Sequence, residues 1–156
     1  SAEAKAAIQE ARKENPDDSA LILSEADLFL KEKDMVSYKK LILEASEKNP
    51  NDAILFFNLG VVSYNNKEIQ DADKFYVKAI ELDPKYVDAY YGRAICHYYL
   101  NDYDKALEDF NKGIELNPTD PGLHFSKGYL YIEIDKLDLA LKSYLEVERL
   151  DQEYPF

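Results

Sequence analysis

The fold is decided by a stretch of 34 residues that recurs along the chain. Residues 53–86 read AILFFNLGVVSYNNKEIQDADKFYVKAIELDPKY. The proline of this stretch belongs to a series with one member every 34 residues: Pro16, Pro50, Pro84 and Pro118. Small, aromatic and bulky aliphatic residues recur at the same interval in further series. Because several independent series share one phase, the chain is predicted to be an array of equivalent structural units.

Within each unit, the apolar residues have the spacing of two helices. Ala72, Tyr76 and Ala79 form one stripe of a helix, and Leu59 and Gly60 lie on a stripe of the helix before it. A polar break, residues 65–68, separates the two helices. Each proline ends a helix because it lacks an N–H group and restricts the residue before it. Asp52 and Asp120 are predicted to cap the helices that follow them. The pattern predicts nine helices, near residues 2–14, 19–31, 35–48, 53–65, 69–82, 87–99, 103–116, 121–133 and 137–150.

This arrangement resembles the tetratricopeptide repeat (TPR), a helix–turn–helix unit of the same length. The residues that carry the resemblance in the quoted unit are Phe56, Leu59, Gly60, Ala72, Tyr76, Ala79 and Pro84. The resemblance implies an all-α fold, a right-handed α-α superhelix (solenoid) of TPR helix hairpins in one continuous repeat domain. Its predicted parts are the second helix of a truncated repeat at 1–16 and units at 19–52, 53–86, 87–120 and 121–154, the last partly degenerate.

Two positions depart from the family pattern. Tyr38 stands where a small residue is usual, so the two helices of the unit 19–52 are expected to pack further apart. Arg93 stands where leucine is usual.

Charge restricts the kinds of partner. The 156 residues include 31 acids and 19 bases, which gives a formal net charge of −12. A polyanion would repel this chain, so neither nucleic acid nor an anionic membrane surface is expected to bind it. The longest uninterrupted apolar stretch, Ala53 to Phe57, is far too short for direct membrane insertion.

No constellation of residues indicates catalysis. His97 and His124 are the only histidines, and they lack the close spacing of metal ligands. Both occupy positions that face the core, and Cys96 lies next to the core stripe. A single cysteine also excludes an internal disulfide. We therefore predict no catalytic residue, no metal site and no cofactor, and packing roles for these three side chains.

The first helix of each unit carries a second apolar face, illustrated by Phe57, Val61 and Tyr64. The resemblance implies that first helices line the concave side of the superhelix and receive an extended or helical segment of a partner protein. The predicted groove residues are Phe57, Asn58, Val61, Tyr64, Asn65, Tyr91, Tyr98, Tyr99, Phe125 and Tyr129. The alternative interpretation is that part of the stripe seals one unit against the next, and it applies first to Leu23, Val61, Ile95 and Ile132.

The predicted ligand is a protein or peptide, an apolar segment with basic flanks, because the groove is aromatic and acidic. Tetratricopeptide adaptors of the chaperones Hsp70 and Hsp90 bind an acidic C-terminal tail through basic and amide side chains. The matching positions of this sequence hold Leu23, Asp27, Asn58, Asp88 and Gly92. Only Asn58 suits a carboxylate, so an acidic tail of this Hsp70/Hsp90 type is disfavoured.

A structural spacer or self-associating scaffold segment of a larger protein is the alternative function. The chain starts at Ser1 without methionine, inside the second helix of a unit, and its last helix lacks a polar cap, so we expect both ends to be cut. Leu139 and Leu145 would then offer an apolar flank to a second copy. Without a native start, cytoplasmic and periplasmic or exported locations all remain open.

Overall fold

The helices form where the periodicity predicts them. A computed structural model of the chain describes residues 2–153, and these residues form helices and no strand. The helices are α1 (Ala2–Glu14), α2 (Ser19–Lys31), α3 (Met35–Lys48), α4 (Ala53–Asn65), α5 (Ile69–Leu82), α6 (Val87–Tyr99), α7 (Tyr103–Leu116), α8 (Pro121–Glu133) and α9 (Leu137–Glu153).

The end of α9 is the one boundary that differs from the prediction, since it lies at Glu153 instead of 150. Arg149 extends the helix through ion pairs with Glu146 and with Glu153, at 2.6 and 2.5 Å. Such pairs at three- and four-residue spacing stabilise a helix. The predicted unit limits at residues 1 and 154 lie outside the described residues.

The helices pack in pairs within two compact units, one ending at Pro84 and one beginning at Lys85. In the first unit, α1 packs on α2, α2 pairs with α3, and α4 pairs with α5. In the second unit, α6 pairs with α7 and α8 pairs with α9. Each pair is one helical hairpin of the predicted repeat.

The four hairpin turns share one backbone conformation. Lys33, Lys67, Asn101 and Asp135 all have a positive φ, between 57° and 67°. The N–H of the following residue donates to the carbonyl five residues earlier, as Glu68 does to Ser63 at 2.9 Å. This Schellman pattern ends the first helix of each hairpin. Glycine is the usual residue at such a position, and none occurs here, so the sequence carries no strong turn signal.

Aspartate side chains begin several helices. The predicted caps Asp52 and Asp120 accept hydrogen bonds from the N–H groups of Ile54 and Gly122, at 3.0 and 2.8 Å. Further aspartate caps precede α2, α3 and α7, namely Asp18, Asp34 and Asp102. These carboxylates satisfy N–H groups that have no partner within the helix.

Glycine permits close packing of the two helices in two of the hairpins. A Cβ atom added to Gly60 would lie 2.5 Å from the ring of Tyr76, and one added to Gly128 would lie 2.9 Å from the ring of Tyr144. Tyr76 is only 3% exposed, so its ring has no room to withdraw. The small residues of the repeat therefore permit the close helix packing that the sequence predicts.

The hairpin of α2 and α3 is the looser one, as predicted from Tyr38. This side chain is buried at the place that Ala72 takes in the next hairpin. The backbones of α2 and α3 approach each other less closely than those of the other three hairpins. The bulk of a tyrosine between two helices explains the separation.

Arg93, the second departure, belongs to a buried ion cluster between α6 and α7. Its Nε and Nη2 atoms donate to the carboxylate of Asp109, at 2.9 and 2.6 Å. The Nδ1 atom of His97 lies 3.1 Å from the same carboxylate, which is 4% exposed. In the preceding hairpin, Leu59 and Phe75 hold the places of Arg93 and Asp109. An ion pair thus replaces an apolar pair at one repeat position.

Candidate protein-binding surface

The ten predicted groove residues divide between the two units, and none of them is fully buried. The first group, called the α4 face below, consists of Phe57, Asn58, Val61, Tyr64 and Asn65. The second group, called the tyrosine face below, lies on α6 and α8 and consists of Tyr91, Tyr98, Tyr99, Phe125 and Tyr129.

The polar groups of the α4 face are largely occupied by the chain itself. Asn58 donates from Nδ2 to the carbonyl of Ile54 at 2.8 Å, and its Oδ1 accepts from the hydroxyl of Tyr38 at 2.9 Å. An asparagine amide has two N–H donors, so one donor of Asn58 remains for a ligand. The Nζ atom of Lys67 lies 6.0 Å from the ring centroid of Tyr64.

Tyr38, itself buried, holds Asn58 of this surface in place, a contact that the sequence did not reveal. Burial, followed by the nearby charge of Asp27, raises the pKa of Tyr38 to about 12. The phenol therefore stays protonated at neutral pH and donates its hydrogen bond to Asn58. The position of Tyr38 in the repeat could have indicated this contact, because a large residue at a small-residue position extends beyond its own hairpin.

The tyrosine face contains the most exposed aromatic side chains of residues 2–153. Tyr99 is 56% exposed, Phe125 55%, Tyr129 47% and Tyr91 38%. All four lie on the first helix of a hairpin, at positions that the sequence assigns to the groove. Neighbouring exposed apolar side chains are typical of interaction surfaces, whereas single ones are common on any protein.

Tyr98 lies at the centre of this face. Its ring centroid is 5.5 Å from that of Tyr99 in an edge-to-face arrangement, and 6.0 Å from that of Tyr129. Tyr103 approaches the same ring at 5.9 Å. A hydrogen bond with Tyr129, then desolvation and the charge of Glu133, raise the pKa of Tyr98 to about 12. These contacts hold the rings in a fixed mutual orientation.

Two further contacts fix the other end of the tyrosine face. The hydroxyl of Ser126 donates to that of Tyr91 at 3.3 Å and so connects α8 with α6. The ring of Phe125 lies 5.5 Å from Tyr144 of α9. Both aromatic side chains are thus supported on one side and open to solvent on the other.

For four residues the alternative interpretation was that they pack one unit against the next, and these four differ in burial. Leu23 packs against the core of the first unit, and Ile95 packs against that of the second. Val61 is half-buried on α4. Ile132 is 45% exposed and lies in the turn of α8 that follows Tyr129. Ile54 of α4, 49% exposed, is a surface residue that the sequence analysis did not select.

The predicted self-association pair, Leu139 and Leu145, does not share a face of α9. At about 100° per residue, the two side chains lie about 120° apart around the helix. Leu145 instead continues a stripe with Leu137 and Leu141, and these three side chains are 53%, 60% and 58% exposed. Leu139, 37% exposed, lies on the other side.

The three residues considered for catalysis or metal binding are buried or in contact with other residues of the chain. His97 lies against Asp109, Cys96 is fully buried, and the Nε2 atom of His124 lies 3.0 Å from the carbonyl oxygen of Pro118. Within residues 2–153, no group of three or more His, Cys, Asp or Glu side chains is placed to hold a metal ion. Over the same range, every helix is too short or too polar to cross a membrane.

Three family models of the tetratricopeptide repeat match the chain, at residues 53–86, 87–120 and 110–142. Together these matches cover more than half of the sequence, and the first two coincide with the predicted units 53–86 and 87–120. The chain belongs to the tetratricopeptide repeat family. Proteins of this family are generally non-catalytic scaffolds, and a protein–protein interaction module is the class that the fold defines.

Solved structures with the same fold include two of the protein MamA. "Crystal structure of MamA" is 21% identical with a TM-score of 0.84, and the alignment covers 96% of this chain and 87% of the other. "MamA 41-end from Desulfovibrio magneticus RS-1" is 17% identical with a TM-score of 0.85, covering 99% and 87%. Identities this low establish similarity of fold alone. No curated protein matches the chain in sequence.

Proposed function

We propose that the chain is an adaptor that binds a peptide or helical segment of a partner protein on the tyrosine face. One observation carries the proposal: the four most exposed aromatic side chains of the described residues, Tyr91, Tyr99, Phe125 and Tyr129, lie together on α6 and α8. Aromatic side chains dominate binding energy at protein interfaces because they lose a large apolar area and little conformational entropy.

The size of the face is sufficient for moderate affinity. Aromatic side chains present about 150–250 Å² each. If the four exposed aromatic side chains lose the 38–56% of their area that is open to solvent, the gain at ~25 cal/mol/Å² is about 7–12 kcal/mol. Association itself costs about 4–15 kcal/mol. Affinity in the micromolar range is therefore expected.

The charge around the tyrosine face supports a ligand with basic flanks. Asp88 at the start of α6 and Glu133 at the end of α8 are both exposed acids. With a net charge of −12 over the chain, they favour approach of cationic segments. The proposed ligand is accordingly an apolar segment with lysine or arginine beside it.

A selection from a random displayed peptide library tests this function. Binding of the selected peptides, measured by fluorescence anisotropy, is expected to weaken by at least about tenfold in Tyr99→Ala and Phe125→Ala, as for residues that anchor an interface. Leu43→Ala is the matched control, since Leu43 is 36% exposed but lies on α3.

Circular dichroism and thermal melting show whether a loss of binding in a variant comes from a loss of structure. Both variants are expected to keep the helicity and melting temperature of the wild type. Wild-type affinity in the two variants, or weakening that accompanies loss of helicity, would contradict binding on the tyrosine face.

A second candidate function, self-association as a scaffold segment, is favoured by the leucine stripe of α9. Leu137, Leu141 and Leu145 are each more than half exposed at four-residue spacing. A second copy of the same helix would bury all three.

A further inference from the structure

The hairpin of α8 and α9 exposes apolar side chains whose counterparts one repeat earlier are covered. The covered set is half-buried against a core cluster of the second unit and consists of Tyr98, Tyr103 and Leu107. The set at the same repeat positions 34 residues later is open to solvent and consists of Ile132, Leu137 and Leu141. The hairpin of α6 and α7 is therefore closed at positions where that of α8 and α9 is open.

One helix provides the cover in the closed hairpin. This helix is α8, which packs on α7. Its Leu123 and Leu130 are both 1% exposed and complete the cluster against which the covered set packs. The ring of Tyr129 adds a contact with Tyr98, at 6.0 Å between the centroids. Residues seven apart lie on the same side of a helix, so a single amphipathic helix is the element that closes such a surface.

Val147 gives the open surface a different shape. At the same repeat position α7 has Gly113, and a Cβ atom added there would lie 2.8 Å from the side chain of Leu123. The leucine of α8 thus rests directly on the backbone of α7. On α9 the side chain of Val147 occupies the corresponding room. A helix that covers α9 therefore needs a small residue where α8 has Leu123.

Glu148 gives the open surface a different charge. Its counterpart on α7, Ile114, is half-buried against the core cluster. Glu148 is exposed two turns after Leu141 on the same side of α9, and no lysine or arginine of residues 2–153 forms an ion pair with it. This carboxylate favours a cation of the covering helix. A second copy of α9 would instead bring another Glu148 to the same surface, and a net charge of −12 on each chain opposes that contact.

Below, the end face is the open surface formed by Ile132, Leu137, Leu141, Val147 and Glu148. We propose that the end face binds an amphipathic helix of a partner protein, which takes the place on α9 that α8 takes on α7. This helix carries alanine or glycine against Val147, a leucine seven residues later, and a lysine or arginine within one turn of the small residue. The proposal goes beyond binding on the tyrosine face, because it uses other side chains.

Binding of a synthetic helix to the whole chain tests the end face. The alanine probe is a fluorescent peptide with the sequence of residues 121–133, in which alanine replaces Leu123 and lysine replaces Gly122. Isolated helices of this length are marginally stable in water. A hydrocarbon staple that replaces Phe125 and Tyr129, which are exposed and one turn apart, therefore keeps the probe helical.

Two variants of the chain locate the bound probe. We expect saturable binding of the alanine probe by fluorescence anisotropy, weakened by at least about tenfold in Leu141→Lys, since a buried leucine would be replaced by a charge. Tyr99→Ala, on the tyrosine face, is expected to leave this binding unchanged. Circular dichroism of both variants shows whether they keep the helicity of the wild type.

An exchange of side-chain size tests the contact at Val147. A second probe, the leucine probe, keeps Leu123 and is otherwise identical. The wild type is expected to bind it at least about fivefold more weakly than the alanine probe, because leucine would overlap with Val147. Val147→Gly, which restores the residue of α7, should bind the leucine probe better than the alanine probe. Val147→Ala should reduce the wild-type preference and is the second variant if glycine lowers the helicity of α9.

An exchange of charge tests the contact at Glu148. Glu148→Gln removes the carboxylate charge with little change of shape, and it is expected to weaken binding of the alanine probe by about threefold, the scale of an exposed ion pair. Glu108→Gln is the matched control, since Glu108 is an exposed acid of α7. It is expected to leave the affinity unchanged.

Several outcomes would overturn the proposal. These are the absence of saturable binding of the alanine probe, or the same ratio of affinities for the two probes in the wild type and in both Val147 variants. Weaker binding in Tyr99→Ala but not in Leu141→Lys would place the probe on the tyrosine face. A dimer mass that persists at saturating probe would assign the end face to a second copy of this chain. Peptides from the random library that bind the tyrosine face would still support the proposed function in each of these cases.

Discussion

Tyr38 is the residue at which a departure from the repeat changes the surface. A small residue at this place would end within the hairpin, whereas the tyrosine ring passes through it and reaches Asn58 of the next first helix. The hydrogen bond takes one of the two acceptor positions of the Asn58 amide oxygen, a side chain that the sequence places in the predicted groove. One large residue therefore alters both the packing of its own hairpin and the chemistry of its neighbour.

Tyr38→Phe should alter how stability depends on alkaline pH. The pKa of Tyr38 is about 12 in the folded chain, above its ordinary value of 10.0. A group with a raised pKa contributes its stability in full below the unfolded pKa, and this contribution is lost as pH rises through the folded pKa. The wild type should thus lose stability between about pH 10 and pH 12, and Tyr38→Phe should lose less over that window.

Urea unfolding at neutral and alkaline pH measures this difference. At neutral pH, Tyr38→Phe is expected to be less stable by about 1 kcal/mol, because the amide of Asn58 loses a hydrogen bond. Tyr99→Phe serves as the control, since Tyr99 is 56% exposed. An identical alkaline loss of stability in Tyr38→Phe and in the wild type would show that the pKa of Tyr38 is not raised.

The hairpin of α6 and α7 shows how a helical repeat accommodates a buried charge. The carboxylate of Asp109 receives two N–H groups of Arg93 and lies beside His97, so its burial is compensated. The ring of Tyr90 adds a cation–π contact to the same guanidinium. Removal of one partner would leave a buried charge without compensation, which destabilises the fold. Replacement of both partners by apolar groups need not destabilise it.

Substitution by the residues of the preceding hairpin tests this argument. Arg93→Leu alone is expected to lower the free energy of unfolding by about 3 kcal/mol, because Asp109 remains buried. The double variant Arg93→Leu/Asp109→Phe introduces the counterparts of Leu59 and Phe75, and should return to within about 1 kcal/mol of the wild type. Urea unfolding followed by circular dichroism gives both values.

The control for this pair is Arg149→Leu on α9. Arg149 is half exposed in its ion pairs, so its loss is expected to leave the free energy of unfolding nearly unchanged. Equal destabilisation in the single variant Arg93→Leu and in the double variant would contradict the proposed role of Asp109.

For the whole molecule, the two candidate functions, peptide binding and self-association, use different surfaces. The tyrosine face and the leucine stripe are separate surfaces, on α6 with α8 and on α9. Each exposes large apolar side chains, and each can be altered without the other. The two functions can therefore be tested independently in one chain.

Light scattering over a range of concentrations tests self-association. If α9 binds a second copy, the mean mass rises with concentration, and Leu141→Lys should weaken the association by at least about tenfold, since each buried leucine contributes about 1.5–3 kcal/mol. Leu139→Lys is the matched control on the other side of α9 and should have little effect. A constant monomer mass in the wild type would exclude the leucine stripe as a dimer contact.

The repeat, every helix bound except the end of α9, and the caps Asp52 and Asp120 could be predicted from the sequence alone. These features depend on local properties: the missing N–H of proline, the 3.6-residue period of an amphipathic helix and the hydrogen-bonding of short acidic side chains. Neighbours within a few residues decide them, so a linear pattern is sufficient. The assignment of the exposed aromatic positions to first helices followed from the same period.

Tertiary packing determines which of those side chains remain exposed and which have a partner within the chain. Tyr38 meets Asn58 across 20 residues, and Arg93 meets Asp109 across 16. Leu137, Leu141 and Leu145 stay more than half exposed because α9 buries other residues, Ala140, Ser143 and Leu150. The exposure of a side chain and its partner depend on what packs opposite it. This packing is a property of the assembled hairpins and cannot be derived from one helix.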